Sequence, residues 1–184
     1  MGFLSNVFSG GKETKKTALV SEANKYISEL RSSRTIPTIA SGLMLDAGEE
    51  AFLEEPTKLH ETRAVRTSKG NFGGLRIAKG VTIGGYSGRS ESNQEWRAID
   101  QGVITLTNKR IFFDGDKGNR SIPVKELIKV DIALDSIQLS EDGKTKDIIF
   151  SVSNPYIWGA LLNIIKRVEN PLDLKNVDLD IEIR

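Results

Sequence analysis

The stretch that decides the reading of this chain is Gly102-Val103-Ile104-Thr105-Leu106-Thr107-Asn108-Lys109-Arg110-Ile111-Phe112-Phe113. Ile104 and Leu106 alternate with Thr105 and Thr107, so one face of a strand can enter a core while the Thr face suits a pleated surface. Asn108 tolerates the left-handed backbone that a two-residue turn requires. Lys109-Arg110 then reads as the charged end of a hairpin turn.

The same period extends outward from this hairpin. After Pro56 the chain is a series of short stretches rich in β-branched residues, broken by Gly and polar turn residues at the spacing of an all-β sandwich or barrel. Nine strands are expected: Leu59 to Arg66, Leu75 to Ile83, Glu95 to Ile99, Gly102 to Thr107, Arg110 to Asp114, Asn119 to Ile122, Ile128 to Ala133, Ser136 to Leu139 and Asp147 to Val152. Tight turns at Asn108-Lys109, Asp114 to Gly118 and Glu141 to Lys144 imply antiparallel pairing.

Two segments carry the helical period instead. Leu19, Ala23, Tyr26, Ile27 and Leu30 form the stripe of an amphipathic helix over Thr17 to Arg31, and residues 32–42, broken by Pro37, read as a linker. Near the other end, Ser153 or Asn154 caps a helix with Pro155 in its first turn, where the missing N–H is harmless. Its apolar stripe is Ile157, Trp158, Leu161, Ile164, Ile165 and Val168, and Asn170-Pro171 ends it. The predicted organisation is a helical extension and linker over residues 1–56, a β domain with its capping helix over 57–170, and a strand-like tail over 171–184.

The Gly102 to Phe113 hairpin, the turn Ile122-Pro123-Val124-Lys125-Glu126-Leu127-Ile128, and Trp158 in the closing helix together resemble the bacterial pleckstrin-homology-like and GRAM-like domains. The resemblance is carried by a little over a third of the chain. It implies a mainly β fold: a bent antiparallel barrel closed by a C-terminal α-helix, here preceded by an N-terminal helix. It also implies a binding or scaffolding module, with basic residues near the first strands as the place for an anionic headgroup.

Composition narrows the chemistry. The chain has 184 residues, of which 38% are apolar and 28% charged, enough to bury a core. With no Cys and one His, thiolate and poly-His metal sites, disulfides and a Cys nucleophile are excluded. No apolar run reaches the length of a membrane span. Met1 to Gly11 lacks the pattern of a secretory signal, so a cytoplasmic protein is expected, the inner face of a membrane being the alternative.

No motif assembles an active site. The glycines between Gly70 and Gly88 lack the Gly-Lys-Ser/Thr ending of a phosphate loop and read as bends and bulges of a curved sheet. His60 reads as an exposed strand residue with no nucleophile elbow to serve. The pairs Glu49-Glu50 and Glu54-Glu55 read as a solvated face. No catalytic residue, metal or cofactor is expected.

Charge is uneven although the net value is +1. Residues 1–35 carry +3, 36–65 carry −4, 66–125 carry +6 and 126–184 carry −4. Candidate anion or lipid-headgroup ligands in the basic third are Lys69, Arg76, Lys79, Arg89, Lys109 and Arg110. Phe3, Leu4, Val7 and Phe8 form a small amphipathic foot, the candidate membrane contact. Val177, Leu179, Ile181 and Ile183 alternate with charged residues and are the candidate self-association strand. The expectation is a non-catalytic module that binds a protein partner or itself. Peripheral association with an anionic membrane is the alternative, and nucleic acid is not expected, because stacking aromatics scarcely interleave with the bases.

Overall fold

A computed structural model of the chain describes residues 3–78, 81–168, 170–175, 177 and 179; over 3–10 and 62–96 it describes the backbone alone. Helix α1 (Phe3–Ser33) is followed by seven strands: β1 (Ala51–Ala78), β2 (Val81–Thr107), β3 (Arg110–Gly115), β4 (Arg120–Pro123), β5 (Leu127–Ile132), β6 (Ser136–Glu141) and β7 (Ile148–Ser151). Helix α2 (Pro155–Arg167) closes the order. The chain divides into two compact units, residues Met1–Glu61 with Ala98–Arg184, and Thr62–Arg97. The second consists of the remaining lengths of β1 and β2.

The strands form one antiparallel sheet in the order β4-β3-β2-β1-β7-β6-β5. Its two meanders, β1 to β4 and β5 to β7, meet where Leu59 lies opposite Phe150 and His60 opposite Ile149. Ile104 pairs with Phe113 and Leu106 with Ile111, so the alternation read in the hairpin sets all four side chains in the core. The sheet is not closed, which corrects the expected barrel. β4 is four residues long and ends at Pro123, which has no N–H to donate. A 3₁₀ turn, Val124–Glu126, then leads directly into β5, so the two outer strands are joined end to end rather than by a ladder.

Seven strands replace the expected nine because β1 and β2 run through breaks that Pro56 and the glycines suggested. β1 also begins at Ala51, inside the acidic segment, where Ala51 and Phe52 are buried. Similarly, α1 continues through Gly10-Gly11 back to Phe3. It ends at Arg34, which takes a left-handed φ of 56° and donates its N–H to the Leu30 carbonyl, satisfying one of the last open acceptors of the helix.

The core is built where the two helices meet the sheet. Ala23, Ile27 and Leu30 of α1 and Trp158, Leu161, Ile164 and Ile165 of α2 are buried, and α2 packs against α1, β5 and β6. Asn154 fixes this junction twice. Its Oδ1 accepts the N–H groups of Tyr156 and Ile157, and its Nδ2 donates to Glu22 Oε2 (2.9 Å) and the Leu19 carbonyl on α1 (3.1 Å). In the β2–β3 ladder a Cβ at Gly102 would lie 1.9 Å from the Asp114 carbonyl oxygen on β3. Gly102→Ala should therefore cost about 1–3 kcal/mol through overpacking. Urea unfolding monitored by Trp fluorescence measures it, and an unchanged midpoint would contradict that packing.

Candidate functional site

The turn between β2 and β3 does not stand free. Asn108, Lys109 and Arg110 each reach back to residues 44–50, the stretch that delivers the chain into β1. Asn108 Oδ1 accepts the Glu50 N–H (2.9 Å) while its Nδ2 donates to the Gly48 carbonyl (2.9 Å). Lys109 Nζ donates to the Ala47 carbonyl at 2.7 Å. Gly48 has φ +68°, the left-handed turn that brings these carbonyls round to the hairpin.

Arg110 makes the strongest of these contacts. Its Nε and Nη2 lie 2.9 and 3.0 Å from the two oxygens of Glu49, a bidentate pair whose carboxylate side chain is 0% exposed and whose guanidinium is 22% exposed. The Thr107 hydroxyl donates to Glu49 Oε1 (2.8 Å) and accepts the N–H groups of Lys109 and Arg110. The guanidinium also lies over the Phe112 ring, 5.4 Å from its centroid. Burial pushes the Glu49 carboxyl up, but the Asp46 N–H, the Arg110 pair and the Thr107 hydroxyl outweigh it and hold its pKa below the usual carboxylate value. Arg110 is thus held by Glu49, while Lys109 is exposed and uses one of its three donors on Ala47.

The other acidic residues repeat the lesson. Thr105 donates to Glu54 Oε2 at 3.0 Å, and Ser41 bonds the same oxygen. Glu55 Oε1 accepts the indole N–H of buried Trp158 (2.5 Å) and its Oε2 the Ser153 N–H (2.8 Å), tying β1 to the start of α2. Glu49 and Glu55 are anchors, which corrects their reading as a solvated face, whereas Glu54 is exposed. His60 is half-buried, with Nε2 3.0 Å from Ser151 Oγ. Its pKa is lowered by burial and by Lys58, against a smaller opposing effect of Asp135.

Most of the remaining candidate residues fall outside the described side chains. Lys79 lies outside the described residues, as do the side chains of Lys69, Arg76 and Arg89 on β1 and β2, and those of Phe3, Leu4, Val7 and Phe8 on α1. Ile181 and Ile183 also lie outside them. Leu179 is buried and Val177 half-buried, and no strand is assigned at either residue. Their carbonyls accept Arg31 Nε (3.0 Å) and Arg34 Nη1 (3.3 Å) from the end of α1.

Two concave surfaces were not anticipated. One, of about 400 Å³, is lined by Glu61, Glu141 and Asp147 and by Arg120, Lys144 and Lys146. Its charges balance, and Arg120 is paired with Glu61 at 3.1 Å. The other is a groove of about 310 Å³ between β5 and α2, lined by Ile128, Val130 and Ile132 on the strand and Gly159, Leu162 and Lys166 on the helix. A Cβ at Gly159 would lie 2.4 Å from Ile132 Cδ1, so the Ile132 side chain packs directly over Gly159. β5 is an end strand of the sheet, and Ile128 and Ile132 are 67% and 43% exposed. The run Ile128 to Ala133 was visible in sequence as a strand, but its place at the edge depends on topology.

Among the described residues, no helix is long and apolar enough to cross a membrane. No family model, curated protein or solved structure matches the chain.

The Glu49–Arg110 pair carries a stability prediction. Arg110→Met should destabilise the protein by about 3–5 kcal/mol, because it strands a buried carboxylate. For Glu49 the folded pKa lies below the unfolded value of about 4.3, so its contribution is complete above that value and is lost as pH falls through the folded pKa. Chemical denaturation between pH 7 and pH 2.5 should show Glu49→Gln with a shallower acid loss than the parent. Parallel curves would refute the assignment.

Proposed function

We propose that this chain is a non-catalytic binding module of pleckstrin-homology-like, GRAM-like architecture that takes a protein segment along the outer edge of β5. Two antiparallel meanders, a closing helix carrying buried Trp158, and the Thr-Asn-Lys-Arg hairpin support the architectural reading. One observation carries the binding role: an end strand with two exposed isoleucines beside an apolar groove. An extended segment added there gains main-chain hydrogen bonds from the strand and alternate side-chain contacts from the groove. No cofactor is needed for this role. The carboxylates that could suggest acid–base chemistry are engaged in holding the hairpin, β1 and α2 together.

A second reading, peripheral attachment to an anionic membrane from the cytoplasmic side, is favoured by α1. Every residue from Gly11 to Ala18 is exposed, including Lys12, Lys15 and Lys16, and the residues just before them include Phe3, Leu4, Val7 and Phe8.

Selection of peptides from a random display library on the full chain, followed by amide exchange, separates the two. Protein docking predicts bound peptides that protect the Val130 and Ile132 amides and lose at least tenfold in affinity to Ile128→Glu. Peptides that protect another face, or failure to select any, would overturn it. Co-sedimentation with phosphatidylserine vesicles, weakened by salt and by removal of residues 1–11, would support the membrane reading instead.

A further inference from the structure

The partner that best fits the β5 edge is written in β5 itself. The strand reads Leu127-Ile128-Lys129-Val130-Asp131-Ile132, and Ala133 donates its N–H to the Ser136 carbonyl at 2.9 Å as the hairpin to β6 begins. Backbone groups alternate direction along an antiparallel ladder. With Ala133 turned toward β6, Asp131 and Lys129 also bond to β6, where they lie opposite Gln138 and Ser140. The N–H and C=O groups of Val130 and Ile132 therefore point the other way, to the outer edge of the sheet, while at Ile128 the register with β6 shifts and the strand bulges.

We propose that this edge pairs with the same edge of a second copy, in an antiparallel, two-fold symmetric dimer centred on Val130. The centring follows from the residues. With Val130 opposite its own counterpart, Ile128 lies opposite the second copy's Ile132, and Lys129 lies opposite its Asp131. Two-fold symmetry repeats both matches, so residue i meets residue j and j meets i, as a closed symmetric interface requires. Every pair is then apolar with apolar or cation with anion. Val130, whose backbone groups face outward, forms a hydrogen-bonded pair with its own counterpart in this register.

Burial agrees with the placement. Ile128 and Ile132, 67% and 43% exposed, share a face with half-buried Val130, and this face runs into the groove against α2. Side chains directly opposite in an antiparallel pair lie on the same side of the sheet, so the second copy's Ile128 and Ile132 extend the apolar face beside that groove. Lys129 and Asp131 lie on the other face, with side chains 63% and 45% exposed and 2.5 Å apart within one chain. In the dimer each of the two gains an opposite charge across the strands. Shifting the register by one residue would set Lys129 against Val130 and turn the isoleucines to the charged face, so the pattern selects a single alignment.

This inference rests on the proposal that β5 is a docking edge, and the experiment is chosen to fail separately from it. Light scattering and sedimentation equilibrium over a concentration series should show the 20.3 kDa chain passing to twice that mass. Lys129→Asp places Asp against Asp across the axis and Asp131→Lys places Lys against Lys. Each should weaken the dimer about tenfold, because two attractive cross-strand pairs become repulsive. An equimolar mixture of the two variants should recover parental affinity as a heterodimer, and so should the double swap Lys129→Asp with Asp131→Lys in one chain. The exchanged side chains are exposed and lie outside the core, and recovery on mixing would show that each variant is folded. A monomer at every concentration, or a dimer that ignores the single charge reversals, overturns the proposal. If peptides nevertheless protect β5 in the selection experiment, the docking edge stands and only the identity of its occupant changes.

Discussion

The buried Glu49 carboxylate is the constraint from which much of this structure follows. A charge out of water is tolerable only with a complete set of partners, and here they come from Arg110, Thr107 and the Asp46 N–H. Supplying them requires the β2–β3 turn to lie against residues 44–50. That contact in turn sets where β1 begins and hence the register of the central strands. Arg110 of the basic tip is thereby tied to the entry of β1, and Lys109 gives one of its donors to the same stretch. Glu55 acts similarly at the other end of the same segment, where its bonds to Trp158 and Ser153 place α2 relative to β1.

These two carboxylates explain why an acidic stretch can open a buried strand. Ala51 and Phe52 are inside, while Glu49 and Glu55 flank them with their charges satisfied by the chain itself. Polar groups that would be costly if unpaired instead specify one arrangement of the hairpin, the entry loop and the helix. Removing any one partner leaves the others in an apolar setting, which makes the arrangement cooperative.

What could be read in advance follows from how local each signal is. The Ile104, Leu106, Thr105, Thr107 alternation and the Asn154-Pro155 cap are local, and both appear in place. The stripes of α1 and α2 likewise predict buried residues such as Ile27, Trp158 and Leu161. The acidic pairs could not be read in this way, because their partners lie tens of residues away and a Glu beside a Glu carries no mark of burial. The edge position of β5 was hidden for the same reason. The apolar stripe understated α1, since it marks a helix over Thr17 to Arg31 and the helix runs from Phe3 to Ser33. Of the candidate site, the hairpin was legible as a hairpin and illegible as an anchor.

The seam between β1 and β7 sets the order in which this chain can assemble. Both are central strands, yet 91 residues separate His60 from the Ser151 that it touches. Local hairpins such as β2–β3 and β5–β6 can zip as soon as their turns close. The middle of the sheet cannot, because loop closure over so long a stretch must precede any gain from the contact. On the ribosome, β1 emerges with its inner side unpaired and waits for most of the polypeptide to be synthesised before β7 arrives. The seam that unites the finished sheet is thus its last part to form, and the nascent chain is most exposed to wrong pairing along β1 in that interval.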